Sequence, residues 1–215
     1  QITMTEEIIL WGATTGRSMR VHWVLQEFGL PYETKPIGPR TGETQTAEYL
    51  AINPKGKVPT LQHADLTLTE SVAILSYVTQ NFDPPADFFV PSDRHEKARW
   101  DEWTAFIAME LDAHPLYTMR RHGDLHKIYG RAPVAVDSAR AYFLKQFNAV
   151  IPHALKSQPY LMSNVPSSVD ILLLTCIDWA LSYKIELPPL VLDYQQRLHA
   201  RTAYRDAYRR CYLTD

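Results

Sequence analysis

The chain has 215 residues, 46% apolar and 21% charged, ordinary globular material for one large or two modest domains. Its 22 basic and 24 acidic residues leave a net charge of −2 and gather in no long run, so nothing in the charge argues for nucleic acid or an anionic membrane as partner. Two cysteines, Cys176 in an apolar run and Cys211 near the end, make neither a disulfide framework nor a metal-ligand spacing, so a reducing compartment and no metal are expected.

In chain order, Gln1-Ile2-Thr3-Met4 has neither a basic region nor a long apolar core, and Met4 is expected to be the natural start, with three foreign residues before it. The most apolar later run, Ile171 to Leu181, is too short to span a bilayer and carries Asp178, so a cytoplasmic location with no membrane segment is expected. Ile8-Ile9-Leu10-Trp11 before Gly12 predicts a strand. From about Arg17, Val21, Val24, Leu25 and Phe28 recur at helical spacing up to Gly29. Pro31 to Pro36 suits a second strand, and a short helix ending near Leu50 leads into Asn53-Pro54-Lys55-Gly56-Lys57-Val58-Pro59-Thr60-Leu61, a turn entering a strand at a proline. Leu68-Thr69-Glu70-Ser71 then ends a strand and feeds a helix whose apolar positions are Val72, Ile74, Leu75 and Val78. The order βαβαββα predicts an α/β domain over 1–82, a four-stranded mixed sheet covered by helices.

Asp83-Pro84-Pro85-Ala86-Asp87-Phe88-Phe89-Val90-Pro91 cannot continue that helix, so 83–92 is expected to be a linker. From 93 to 215 the pattern is helical throughout, predicting an all-α domain. Trp100, Trp103, Ile107, Leu111 and His114 recur at three or four residues, giving a helix from Arg94 to His122, about 43 Å long and kinked at Pro115. A second helix is expected from Val134 to about Ile151, with the stripe Ala139, Phe143, Phe147 and Val150. Ser167 can cap a third, with Asp170 returning a bond to its backbone, and the apolar run from Ile171 makes that helix central and buried.

Two features of the proline segment carry chemistry. Pro59 has no N–H and can be cis, so it cannot complete an ordinary ladder and leaves the main chain of Val58 free to bind a peptide. Glu70 and Ser71, at a helix mouth, offer a carboxylate for an ammonium and N–H groups for a carboxylate, which suits an α-amino acid head. The alternative is a structural hairpin followed by an accidental Glu-Ser cap.

An Asn-Pro-x-Gly-Lys-Val-Pro run followed by Glu-Ser at this spacing resembles the glutathione-binding half of the thioredoxin-like domain in cytosolic glutathione transferases. With the capped core helix at Ser167, the likeness covers nearly the whole chain. It implies a thioredoxin-like N-terminal domain, an all-α domain carrying the electrophile site, glutathione as co-substrate with a hydrophobic electrophile, a homodimer, and a part in detoxification. The likeness is to serine/threonine-type members, theta- or zeta-like and of bacterial or fungal kind.

Such chemistry needs the glutathione sulfur as a thiolate. Lowering a thiol from about 8.5 by about two units takes about 2.7 kcal/mol of preferential stabilisation. One hydrogen bond to the anion, about 1.5 to 3 kcal/mol, plus about 0.3 to 1 from a helix N-terminus, suffices. Donor candidates are Thr14, Thr15 and Ser18. The resemblance puts Thr15 where serine-type members hold the activating hydroxyl, with Ser18 next; Thr15 as a mere helix cap is the alternative. Trp11 stands near the tyrosine of tyrosine-type members and Arg17 where others hold a cysteine, which disfavours both of those mechanisms, though Arg17 remains a further donor candidate.

The resemblance further implies Val58 and Pro59 at the cysteinyl part, Glu70 and Ser71 at the γ-glutamyl end, and Lys57 and Thr44 at the glycine end, with Lys57 as a solvated surface lysine the alternative. Lys55 is expected to be a solvated lysine. Met19, Phe106, Met109, Glu110, Tyr117 and Trp179 are candidate walls for the second substrate, with core packing as the alternative. His114, His122, Arg120 and Arg121 are expected to face solvent, with lining of the same cleft as the alternative. Two other readings stay open: glutathione-dependent reduction of a disulfide or peroxide, and a non-catalytic binding or assembly module of the same fold.

Overall fold

A computed structural model of the protein describes residues 7–213; the expectation for Met4 lies outside the described residues. In β1 (Ile8–Trp11), Ile8 and Leu10 are buried and Ile9 and Trp11 are half-buried, the period-two alternation of a strand. α1 (Gly16–Glu27) carries the chain over to β2 (Glu33–Lys35), which pairs parallel to β1, as a helical crossover allows. After a single turn of 3₁₀-helix (Glu43–Gln45) and α2 (Ala47–Ile52), β3 (Thr60–His63) runs antiparallel to β1, and β4 (Leu66–Thr69) antiparallel to β3. The sheet order is β2-β1-β3-β4, and α3 (Ser71–Asn81) follows its last strand. This is the mixed four-stranded sheet with helices that the sequence predicts.

The second half of the chain is helical. α4 (Arg94–Phe106) starts on Asp93, whose carboxylate accepts from the His95 and Glu96 N–H groups. The expected single α-helix kinked at Pro115 is corrected: over Ile107–Leu116 the helix widens to π geometry. Pro115 offers no N–H to the carbonyl of Leu111, and a wider turn lets each carbonyl reach the next donor along, as the Tyr117 N–H does to Asp112. α5 (Tyr117–Met119), a second π stretch (Arg120–Asp124) and α6 (His126–Tyr129) follow. α7 (Pro133–Ser157) begins on its proline and runs on through Pro152, past the expected end near Ile151. α8 (Ser168–Ser182), α9 (Pro189–His199) and α10 (Thr202–Tyr212) complete the chain.

Two compact units result, Gln1–Val90 together with Leu198–Asp215, and Pro91–Arg197. In the first, α10 packs on α1: Trp23 meets Tyr204 edge-on with ring centroids 5.0 Å apart, and Ala207 and Cys211 are fully buried. In the second, α8 is the core helix. Leu173, Leu174, Cys176 and Ile177 are inaccessible, and the Trp100 indole N–H donates to Ser168 Oγ at 2.9 Å. Asp170 is wholly buried there and accepts four hydrogen bonds, from the Ser167 N–H and O–H, the Leu161 N–H and the Tyr194 O–H. Among the described residues no helix is long and apolar enough to cross a membrane.

Candidate glutathione site

The site is assembled at the end of β1. Gly12 has φ of 127°, open to glycine and rarely to other residues, and an added Cβ would lie 2.8 Å from both Ser18 Oγ and Val58 Cβ. That close approach brings the first turn of α1 against the proline loop, so residues from opposite ends of the motif set become neighbours.

Thr15 is the N-cap of α1, with extended backbone (φ −128°). Its Oγ1 accepts the Ser18 N–H at 3.0 Å, and its O–H donates to Ser18 Oγ at 2.9 Å. The two hydroxyls form one unit, Thr15 half-buried and Ser18 inaccessible. Thr14 is exposed at φ 61°, its N–H held by the Cys211 carbonyl at 2.8 Å. Trp11 gives its only donor to Gln62 Oε1 at 2.7 Å, and Arg17 is half-buried with a partner of its own.

Beside this pair, the Val58–Pro59 peptide bond is cis. No hydrogen bond to the Val58 N–H or C=O is present among the described residues. The turn before it is pinned through the Lys57 carbonyl, which accepts from the Tyr49 O–H at 2.5 Å and the Asn53 side-chain amide at 2.8 Å. The Lys57 side chain itself is exposed. Thr44 is buried against the same turn, with the Gln45 amide donating to both Thr44 Oγ1 and the Gly56 carbonyl at 3.4 Å.

At the other end, Glu70 is exposed at φ 69° and Ser71 is buried at the start of α3. Two partners escaped the sequence analysis. Lys55, expected to be merely solvated, donates to both Glu70 Oε1 and Thr69 Oγ1. Arg20, 3% exposed, donates from Nη1 to Ser71 Oγ at 3.3 Å. A signal for Arg20 lay in the sequence: it interrupts the run Met19 to Leu25, and a polar residue on a buried helix must find a bonding partner.

His22 is the other polar interruption. Its Nε2 bonds the Gly12 carbonyl at 3.0 Å and its Nδ1 the Tyr32 hydroxyl at 2.9 Å, and burial pushes its pKa down to about 4. Of the candidate walls, Met19 is buried in the first unit. In the second unit Met109 is 61% exposed, Phe106, Tyr117 and Trp179 are partly so, and Glu110 accepts the Tyr142 O–H. His114 is exposed with its ring edge-on to Tyr142, Arg121 stacks on Tyr129, and the His122 ring bonds the Gly130 carbonyl. No group of three or more His, Cys, Asp or Glu among the described residues could hold a metal ion.

Residues 6–80 match the model of the glutathione S-transferase N-terminal domain. The chain is 30% identical over 197 residues to the glutathione S-transferase-like protein gedE of Aspergillus terreus, covering 82% of this chain and 79% of that one. This chain belongs to the glutathione transferase family. Among solved structures, the glutathione transferase of Methylococcus capsulatus superposes with a TM-score of 0.81 at 29% identity, over 96% of this chain and all of that one. A theta-class glutathione S-transferase of Xanthomonas axonopodis, with glutathione bound, superposes at 0.76 and 27% identity, over 97% of this chain and 98% of that one. The sheet order and the helical second half are those of the glutathione transferase fold.

Proposed function

We propose that this protein binds glutathione in its first unit and conjugates it to a hydrophobic electrophile, the Thr15 hydroxyl holding the sulfur as a thiolate. One observation carries the reading: the Thr15–Ser18 hydroxyl pair at the N-terminus of α1 stands beside Val58, whose main chain has no partner among the described residues. Val58 takes the cysteinyl peptide unit, with Pro59 shaping the loop. Glu70 takes the γ-glutamyl ammonium, and Ser71 with the start of α3 its carboxylate. Lys57 and Thr44 lie at the glycine end.

When sulfur loses its proton to solvent, the Thr15 O–H turns from Ser18 to the anion. The Ser18 O–H then donates to Thr15 Oγ1, so the second hydroxyl strengthens the first. The thiolate attacks carbon, a C–S bond forms, and the leaving group departs with its electron pair, or the electrophile's π bond accepts it. The relative with bound glutathione supports the ligand; the names of the relatives support the transferase reading. We infer a cytoplasmic homodimer acting in detoxification from the same family.

Calorimetry with glutathione and turnover of a chlorodinitrobenzene test the proposal: millimolar or tighter binding and release of chloride are expected. Reduction of a small disulfide or hydroperoxide by two glutathiones, without turnover of the aryl chloride, would replace it by the reductase reading. Absence of binding at millimolar glutathione would leave the non-catalytic module. Light scattering checks the dimer.

A further inference from the structure

We propose that the last helix is a clamp on the sulfur-binding loop, and that Cys211, Tyr32 and His22 are positioning residues that fix Gly12–Thr15 so that the Thr15 hydroxyl meets the glutathione sulfur. The inference rests on the function proposed above and names how its donor is held. α10 reaches the loop by two routes. Directly, the Cys211 carbonyl accepts the Thr14 N–H at 2.8 Å, and the Cys211 thiol lies 3.7 Å from the Thr15 carbonyl. Indirectly, Arg210 donates to the Tyr32 carbonyl at 3.1 Å and lies 4.5 Å over its ring, Tyr32 bonds His22, and His22 bonds Gly12.

The direction of the second route is determined by chemistry. The Gly12 carbonyl only accepts, so Nε2 of His22 carries the proton and Nδ1 accepts from the Tyr32 O–H. Buried as it is, the ring stays neutral and keeps this tautomer. The clamp matters because Thr14 holds φ of 61°, a conformation that a non-glycine residue keeps only when its surroundings impose it. The Cys211 carbonyl is what the Thr14 N–H meets there. Neither Cys211 nor His22 touches the ligand in this arrangement; both act through the backbone on either side of Thr15.

The test is the pKa of the glutathione thiol when bound, followed by thiolate absorbance, beside the affinity from calorimetry and the melting temperature. Three variants serve: Tyr32→Phe, which removes only the hydroxyl; His22→Phe, compared with His22→Gln, whose amide can still donate to Gly12; and a chain ended after Arg210. Glutathione affinity should stay within about twofold, while the bound thiol pKa rises by about half to one unit and kcat/KM at neutral pH falls about three- to tenfold, recovering at higher pH. His22→Gln should lie nearer the wild type than His22→Phe. An unchanged bound-thiol pKa in Tyr32→Phe and in the shortened chain, with glutathione still bound, overturns the clamp alone. A wild-type protein that binds glutathione without lowering its thiol overturns the function proposed for Thr15 and the clamp together.

Discussion

At Thr15 the observed cap and the proposed donor role, alternatives when read from sequence, are compatible. As N-cap it accepts the Ser18 N–H through a lone pair of Oγ1, which leaves its proton for Ser18 or for sulfur. Capping and donation therefore do not compete. Thr15→Ala should raise the bound thiol pKa by about one unit or more and lower kcat/KM about tenfold at neutral pH, with Thr15→Ser near wild type, read from thiolate absorbance against pH. His22 makes a second prediction. Its pKa falls from 6.5 to about 4 on folding because burial penalises the imidazolium, so between those values the unfolded chain binds the proton and the folded one does not. Stability from this ring is fully present above pH 6.5 and is lost as pH falls toward 4, by about 3 kcal/mol in all. Urea unfolding at a series of pH values should show that slope, and His22→Gln should lack it.

At the scale of elements, α1 is held at both ends by groups distant in sequence. Its last residue, Glu27, is buried and receives a two-pronged ion pair from Arg201, Nε and Nη2 each 2.7 Å from a carboxylate oxygen, together with the Trp23 indole N–H. Removing Arg201 strands the buried Glu27 carboxylate, so Arg201→Ala should cost about 3 to 5 kcal/mol in chemical denaturation. Asp87, which meets Arg201 from the exposed side, should cost less than about 1 kcal/mol when replaced by Ala. α8 begins in the same manner. Burial pushes the Asp170 carboxyl up while its four donors pull it down. Asp170→Ala leaves those donors unpaired in the core and should destabilise the protein by about 3 kcal/mol or more, seen as a lower melting temperature.

For the whole molecule, the last helix completes the unit that opens the chain. A protein cut before Leu198 would uncover the face of α1 that Tyr204, Ala207 and Cys211 cover, and it should lose glutathione binding by calorimetry and part of its helical circular dichroism. The sequence by itself determined the succession of strands and helices, the proline loop, the Glu-Ser corner and the capped core helix. Each is written in neighbouring residues, as an alternation, a missing N–H or a cap, and needs no distant partner to be recognised. It also gathered the candidate donors, Thr14, Thr15, Arg17 and Ser18, into one loop. Only the tertiary structure decided that Thr15 and Ser18 are hydrogen-bonded beside Val58, that Lys55 meets Glu70, and that Arg20, His22 and Cys211 reach the loop and its corner. Those are contacts across 3, 15, 51, 10 and 196 positions. Beyond a helical turn no periodicity records such a contact, because which buried polar groups meet is settled by the packing of whole elements.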